Sequence, residues 1–171
     1  NLDLARKLSI NFDNIFLVEG YMDVVGLSKN GIENAVANLG TSLTDKQIVT
    51  LNQFFNDIII CFDGDESGYK AALRAAENSI KDLKPEKQIS FLFLPDQEDP
   101  DSFVNKYGKE YFFDYSKQNK ISIHQFIFNH YKKNTQNNPS SMAIFEKKLR
   151  SIANTIKENY NSIITTTDHS G

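Results

Sequence analysis

Short apolar runs alternate with amphipathic stretches over the first hundred residues of the chain. The runs are bounded by polar residues and predict four strands, at residues 15–18, 35–37, 58–62 and 89–94. The stretches between them carry apolar residues at helical spacing. They predict helices at 21–29, from the capping-box pattern at residue 44 onward, and at 66–83. The alternation predicts an α/β fold with a mainly parallel sheet flanked by helices.

The pattern changes after residue 95, where only helical periodicity remains. Helices are predicted at four positions, residues 102–107, 109–116, 123–132 and 141–160. The last stretch, from residue 161 to 171, has no periodicity and is expected to fray. We therefore expect three parts: a lead-in helix at 1–12, an α/β domain at 13–98, and a partial all-helical subdomain with a frayed tail at 99–171.

Composition excludes several classes of protein. Of the 171 residues, 40% are hydrophobic and 24% are charged, which suits one globular core and excludes a disordered or collagen-like chain. No apolar stretch is long enough to cross a bilayer. The single cysteine, Cys61, excludes an internal disulfide and favours a reducing, cytoplasmic location. The chain begins with Asn1 and shows no signal peptide, so it is expected to be a piece of a longer protein.

The net charge of −3 hides a division along the chain. Residues 1–115 carry a net charge of −8, whereas residues 116–171 carry +5. A protein that only wrapped nucleic acid would be basic throughout. The acidic first part therefore indicates either a solvated surface or carboxylates collected to hold cations.

Acidic residues follow three of the four predicted strands. Glu19 follows the first strand, Asp63 and Asp65 follow the third, and Asp99 and Asp101 come after the fourth. Parallel strands end at one edge of a sheet, so these side chains are expected to converge there. Neighbouring carboxylates stay ionised only when a cation offsets their repulsion. Oxygen ligands without a cysteine set favour Mg²⁺ or Mn²⁺, and hence phosphoryl or nucleotidyl transfer or phosphodiester cleavage.

Each acid taken alone also has a structural explanation. Glu19 is compatible with neutralising a nearby lysine, and the Asp-Gly pair at Asp63 is a common turn. Asp99 precedes a proline, as a helix N-cap does, and Asp101 and Asp23 suit the first turn of a helix. A functional site is favoured because three separate strands each place acidic residues at one edge of the sheet.

A small polar loop follows the second predicted strand. Gly40, Thr41 and Ser42 would offer backbone N–H groups and hydroxyls to a phosphate. A plain connecting loop explains the same residues equally well.

Four segments, in this order, resemble the motifs of bacterial replicative DNA primases (DnaG type) and of their Toprim domain. They are EGYMDV at residues 19–24, LGTS at 39–42, DGDESG at 63–68 and LPDQEDPD at 94–101. The resemblance covers residues 1–115 well, is loose in the helical part and is absent from the tail. It implies the Toprim fold, a Rossmann-like mainly parallel sheet, for residues 13–98.

The resemblance also implies a set of site residues and an activity. Glu19, Asp63 and Asp65 would be the catalytic residues that bind Mg²⁺ or Mn²⁺. Asp99 and Asp101 would complete the set of metal ligands, and Asp23 would lie at the rim of the acidic site. Glu19 would alternatively act as a general base. Primases of this family are DNA-directed RNA polymerases that join ribonucleoside triphosphates into a short RNA primer on a single-stranded DNA template. They work with the replicative helicase.

Parts of such primases have no counterpart in these 171 residues. The cysteine-rich zinc domain, the basic first half of the polymerase core and the helicase-binding region are absent from this chain. Zinc is therefore expected only in a domain outside it, and the isolated fragment is expected to polymerise little or nothing. The resemblance implies a bacterial cytoplasmic protein, associated with the nucleoid at replication forks and without a membrane partner.

Two alternatives remain open on the residues alone. The first is a Mg²⁺-dependent phosphatase in which Asp63 is the nucleophile and Asp65 the acid, although this leaves Glu19 unexplained. The second is a non-catalytic Toprim scaffold of a recombination mediator, for which Asp63 and Asp65 would be dispensable. A topoisomerase is disfavoured, because its tyrosine nucleophile would need another domain.

Overall fold

The computed structural model describes residues 6–38, 45–80, 87–95 and 98–167. Within these residues lie five strands and six helices, in addition to a helical turn at residues 6–8. They are β1 (Asn14–Val18), α1 (Tyr21–Lys29), β2 (Ala35–Ala37), α2 (Asp45–Asn52), β3 (Asp57–Phe62), α3 (Glu66–Ser79), β4 (Gln88–Phe93), α4 (Pro100–Asn119), β5 (Ile121–Ser122), α5 (Ile123–Lys133) and α6 (Pro139–Thr167).

The strands form one sheet in the order β2-β1-β3-β4-β5. The first four are parallel, and β5 pairs antiparallel with β4 through Phe91 and Ile121. The mainly parallel α/β fold is thus confirmed. The sequence did not predict β5, because two residues are too few to show a periodicity.

Helices cover both faces of the sheet. Ile58 and Ile60 of β3 face a core shared with α2, α3 and α5. Ile59 and Cys61, which alternate with them, face a second core shared with α1 and α4. Both faces are therefore apolar, which explains why the sequence shows continuous apolar runs and no alternation of polar and apolar positions.

The helical part departs from the prediction in two places. The two helices expected on either side of residue 108 are joined as α4, with a kink at Gly108, where φ is 82°. Helix α6 reaches Thr167, whereas fraying was expected from residue 161. A helix that has started adds one hydrogen bond for each further residue, and this propagation needs no apolar stripe.

Some expectations fall on residues that the structure does not describe. The first five residues of the predicted lead-in helix and the predicted phosphate loop of Gly40, Thr41 and Ser42 lie outside the described ranges. The domain boundaries stay predictions. Among the described residues, no helix is both long enough and apolar enough to span a membrane.

A candidate metal centre at the carboxyl edge of the sheet

Three adjacent parallel strands end at the same edge of the sheet. Because β1, β3 and β4 are neighbours, Glu19, Asp63 and Asp99 follow strands that leave the sheet side by side. Glu19 is exposed, while Asp63 is partly buried. The topology therefore brings these acids to one edge from positions far apart in sequence.

The turn after β3 is held against the end of β4. A Cβ atom on Gly64 would overlap the carbonyl oxygen of Leu94, so only glycine allows this approach. Asp65 then caps α3, where its Oδ1 accepts the backbone N–H of Gly68 at 2.7 Å. The Asp63–Asp65 turn is thereby fixed both to the neighbouring strand and to the helix that follows it.

Asp99 caps α4 in the way its position before a proline predicts. Its Oδ1 accepts the backbone N–H of Ser102 at 2.7 Å, and its own N–H donates to the Ser102 hydroxyl at 3.0 Å. This capping box fixes the start of α4 at the carboxyl edge. The structural explanation of Asp99 is thus correct, and it also places the carboxylate close enough to act electrostatically on Asp63.

Asp23 lies in the first turn of α1 and faces the same edge. Its Oδ2 accepts the backbone N–H of Gly20 at 2.9 Å. Burial raises the pKa of Asp23, and the charges of Asp99 and Asp101 raise it further, whereas the backbone groups of Gly20 and Asp101 lower it. Asp23 therefore links the start of α1 to the start of α4.

The acids repel one another around Asp63. Burial raises the pKa of Asp63 to about 6, with further contributions, in decreasing order, from the charges of Glu19, Asp23, Asp99 and Asp65. None of these five residues forms an ion pair with any residue that the structure describes. We call them the acidic cluster. A cluster of repelling carboxylates at the ligand-binding edge of an α/β sheet suits a cation from solution.

The acidic cluster is not a closed metal cage. Within the described ranges, no three His, Cys, Asp or Glu side chains are arranged as a preformed ligand group. Mg²⁺ is commonly bound by one or two carboxylates, with water and substrate phosphates as its other ligands. The oxygen donors at this edge therefore suit a divalent ion that is shared with a phosphate-bearing substrate.

Asp101, predicted to complete the acidic site, has a different environment. Its Oδ1 accepts the side-chain N–H of Asn105 at 2.7 Å, and its carboxyl group lies directly against Gly26 of α1. The Asp101 side chain thus lies between α1 and its own helix α4.

A cavity of about 330 Å³ opens beside Glu19, between the ends of β1 and β3 and helix α3. Its polar lining includes Ser67, Arg74 and Asn78. Sequence reasoning missed Arg74 and Asn78, because they belong to no motif, and it gave no role to Ser67 within the DGDESG segment. The available signal was their helical spacing, which places them on one side of α3.

The predicted Toprim resemblance is confirmed by comparison with known proteins. Residues 13–93 match the Toprim domain family. A DNA primase from Haemophilus influenzae is 44% identical over 116 residues, which cover 68% of this chain and 19% of that protein. The chain therefore spans about a fifth of the length of this curated relative.

Solved primase structures share the fold of nearly the whole chain. The structure of the DnaG catalytic core has a TM-score of 0.85 and 36% identity, covering 91% of this chain and 50% of that one. A DnaG catalytic domain bound to single-stranded DNA has a TM-score of 0.83 and 36% identity, with coverages of 89% and 49%.

The fold and the edge of acids thus define a Toprim-domain protein, for which family resemblance implies a divalent-metal-dependent activity. More particularly, the chain is homologous to the Toprim-containing part of bacterial DNA primases of the DnaG type. The comparisons favour neither the phosphatase nor the recombination scaffold.

Proposed function

We propose that this chain is the metal-binding half of the catalytic core of a DNA primase. In the whole protein it supports nucleotidyl transfer, which joins ribonucleotides into a short RNA primer on a single-stranded DNA template. The observation that carries the proposal is the acidic cluster, in which four other carboxylates surround Asp63 and none of the five has an ion-pair partner among the described residues. Homology to the DnaG catalytic core supports the assignment to a primase.

We assign the roles by position at the edge. Glu19, Asp63 and Asp65 supply the oxygen ligands for Mg²⁺ or Mn²⁺; Asp99 lies beside them, and Asp23 lies at the rim. When bound, the divalent ion neutralises the triphosphate and lowers the pKa of the attacking hydroxyl. The capped turn after β3 holds Asp63 and Asp65 in place before the ion arrives, because Gly64 and Gly68 fix both of its ends.

The remaining substrates and partners follow from the same proposal. The ribonucleoside triphosphates and the DNA template meet the acidic cluster in a core completed by other parts of the protein. The replicative helicase would act through a region outside this chain, in the bacterial cytoplasm at replication forks. The isolated chain should accordingly make little or no primer, and robust synthesis by these 171 residues would contradict the assignment.

Titration with Mn²⁺ tests the metal site directly. The electron paramagnetic resonance signal of free Mn²⁺ disappears on binding, so it measures the affinity of the 171-residue chain. We expect Asp63→Asn and Glu19→Gln each to weaken binding at least tenfold, because each removes a ligand oxygen and a charge. Asp57→Asn, at the opposite end of β3, is the matched control and should leave the affinity within about twofold. Equal binding by wild type and Asp63→Asn would overturn the assignment.

A further inference from the structure

The carboxylate of Asp101 is engaged on the side of α1. Its Oδ1 accepts the Nδ2–H of Asn105 at 2.7 Å. The carboxyl group also lies so close to Gly26 that a Cβ atom there would overlap it. The side chain is therefore packed between α1 and α4, with one oxygen already hydrogen-bonded.

Two asparagines extend this contact along α1. The Oδ1 of Asn105 accepts the Nδ2–H of Asn30 at 2.9 Å, and the same Asn30 amide group donates to the carbonyl oxygen of Gly26, also at 2.9 Å. Asn30 is the residue that ends α1. We call Asn30 and Asn105 the asparagine bridge. It ties the first turns of α4 to the last turn of α1, on the side away from the sheet edge.

The backbone of the same turn reaches the acidic cluster. The backbone of Asp101 lies close enough to the Asp23 carboxylate to lower its pKa, and Asp99 is the N-cap of the same helix. A shift of this turn would therefore move Asp99 and change the surroundings of Asp23 together. Both carboxylates act electrostatically on Asp63.

We propose that Asp101 is a positioning residue and not a metal ligand. Together with the asparagine bridge and Gly26, it anchors the first turn of α4 to α1 and so holds Asp99 and Asp23 beside Asp63. This inference rests on the proposed metal-dependent function. It departs from the sequence expectation, which placed Asp101 among the ligands.

The two acids at the start of α4 thus have different roles. The Asp99 carboxylate acts on Asp63, whereas the Asp101 carboxylate points to Asn105 and Gly26. For Asp101 to bind the ion through Oδ1, it would have to give up the hydrogen bond from Asn105 and leave its packing on Gly26. A neutral side chain that keeps the hydrogen-bond acceptor for Asn105 should therefore preserve most of the positioning role of Asp101.

Mn²⁺ titration of the full chain separates a positioning residue from a ligand. Asp101→Asn keeps an acceptor for Asn105, and we expect its affinity to stay within about threefold of wild type. Asp101→Ala and Asn105→Ala should each weaken binding about tenfold, since they release the turn of α4. Asn105 carries no charge, and its Oδ1 already accepts the Nδ2–H of Asn30, so its effect would come neither from a lost charge nor from a lost ligand. Ser28→Ala, on the exposed side of α1, is the matched control and should change nothing.

The outcomes distinguish this inference from the proposed function. If wild type fails to bind Mn²⁺, or Asp63→Asn binds as well as wild type, the proposed metal site itself is wrong. If Asp63→Asn loses binding and Asp101→Asn loses it equally, Asp101 is a ligand and the positioning role is overturned. Unchanged affinity in Asn105→Ala would also overturn it. Melting temperatures of all variants show whether any loss reflects unfolding, and Gly26→Ala provides a second perturbation of the same contact without a change in polarity.

Discussion

Strand β3 has an aspartate near each end, and the two have opposite surroundings. Asp57, at its start, pairs with the Lys120 ammonium at 2.5 Å and accepts a hydrogen bond from the Ser90 hydroxyl at 3.2 Å. Asp63, just after its end, forms no ion pair with any described residue and is surrounded by other carboxylates, which with burial raise its pKa to about 6.

The difference separates a structural acid from a candidate functional one. Asp57 has its countercharge within the fold, so it contributes to stability and needs nothing from solution. Asp63 has none among the residues that the structure describes, and the fold bears the repulsion at the edge where α/β sheets bind their ligands. Repulsion of this kind marks candidate functional sites, because a bound cation would relieve it.

The largest loss of stability is expected from a methyl group placed in the close contact between the Asp63–Asp65 turn and the end of β4. Gly64→Ala places a methyl group on the carbonyl oxygen of Leu94, so the turn or the end of β4 must move. We expect a loss of about 2–4 kcal/mol in the free energy of unfolding, together with weaker Mn²⁺ binding. Urea denaturation and the Mn²⁺ titration measure the two effects. Ser67→Ala, at an exposed position in the first turn of α3, should reproduce neither; a fully stable Gly64→Ala would contradict the close approach.

Removing Asp57, the structural acid, should lower the free energy of unfolding less than Gly64→Ala does. Asp57→Ala leaves the partly buried Lys120 ammonium without its partner, and we expect a loss of about 2 kcal/mol in unfolding free energy with unchanged Mn²⁺ affinity. Thermal denaturation checks the first effect. Adding Lys120→Met should recover part of the loss, because it removes the unpaired charge. Additive losses in the double variant would show that the pair does not couple.

Asp63→Asn should stabilise the metal-free chain, and by less than Asp57→Ala destabilises it. The ordinary pKa of this carboxyl is 3.8, and in the folded chain it is raised to about 6. The folded state therefore binds more protons between these values, so the metal-free chain loses stability as the pH rises from about 4 to about 6. We expect a loss of roughly 1–2 kcal/mol that Asp63→Asn abolishes.

Urea denaturation at pH 4.5 and pH 7.5, with a chelator present, measures this contribution as a difference between wild type and variant. Asp57→Asn serves as the control for a change of charge on the same strand. An identical pH dependence of stability in wild type and Asp63→Asn would show that folding does not raise the pKa of Asp63.

The smallest effect is expected at an exposed ion pair near the same edge. Glu66 and Lys70 pair at 2.5 Å in α3, but both side chains are more than half exposed. Water and salt screen such a pair, so Lys70→Ala should leave the melting temperature within about 1 °C of wild type. A larger drop would mean that simple exposure does not distinguish weak pairs from the Asp57–Lys120 pair.

Much of this architecture could be predicted from local patterns. The apolar run at Ile58–Phe62 and the acids that follow it predicted a buried strand leading into a site, and the fold confirms the strand. The partner of Asp57 could not be predicted, because Lys120 lies 63 positions away, beyond a kinked helix. The lining of the cavity by Arg74 was also beyond prediction, since an arginine on a helix is usually a solvated charge.

By itself, the sequence determined the alternation of strands and helices, the shared edge of the strand ends and the acidic motifs placed there. These features depend on residue type and spacing, which act locally along the chain. Only the tertiary structure decided which acids are compensated and where each carboxylate points. Asp99 and Asp101 stand two positions apart on one turn, yet they face different neighbours, because the packing of α4 against α1 sets their directions. Long-range packing of this kind leaves no signature in a single sequence.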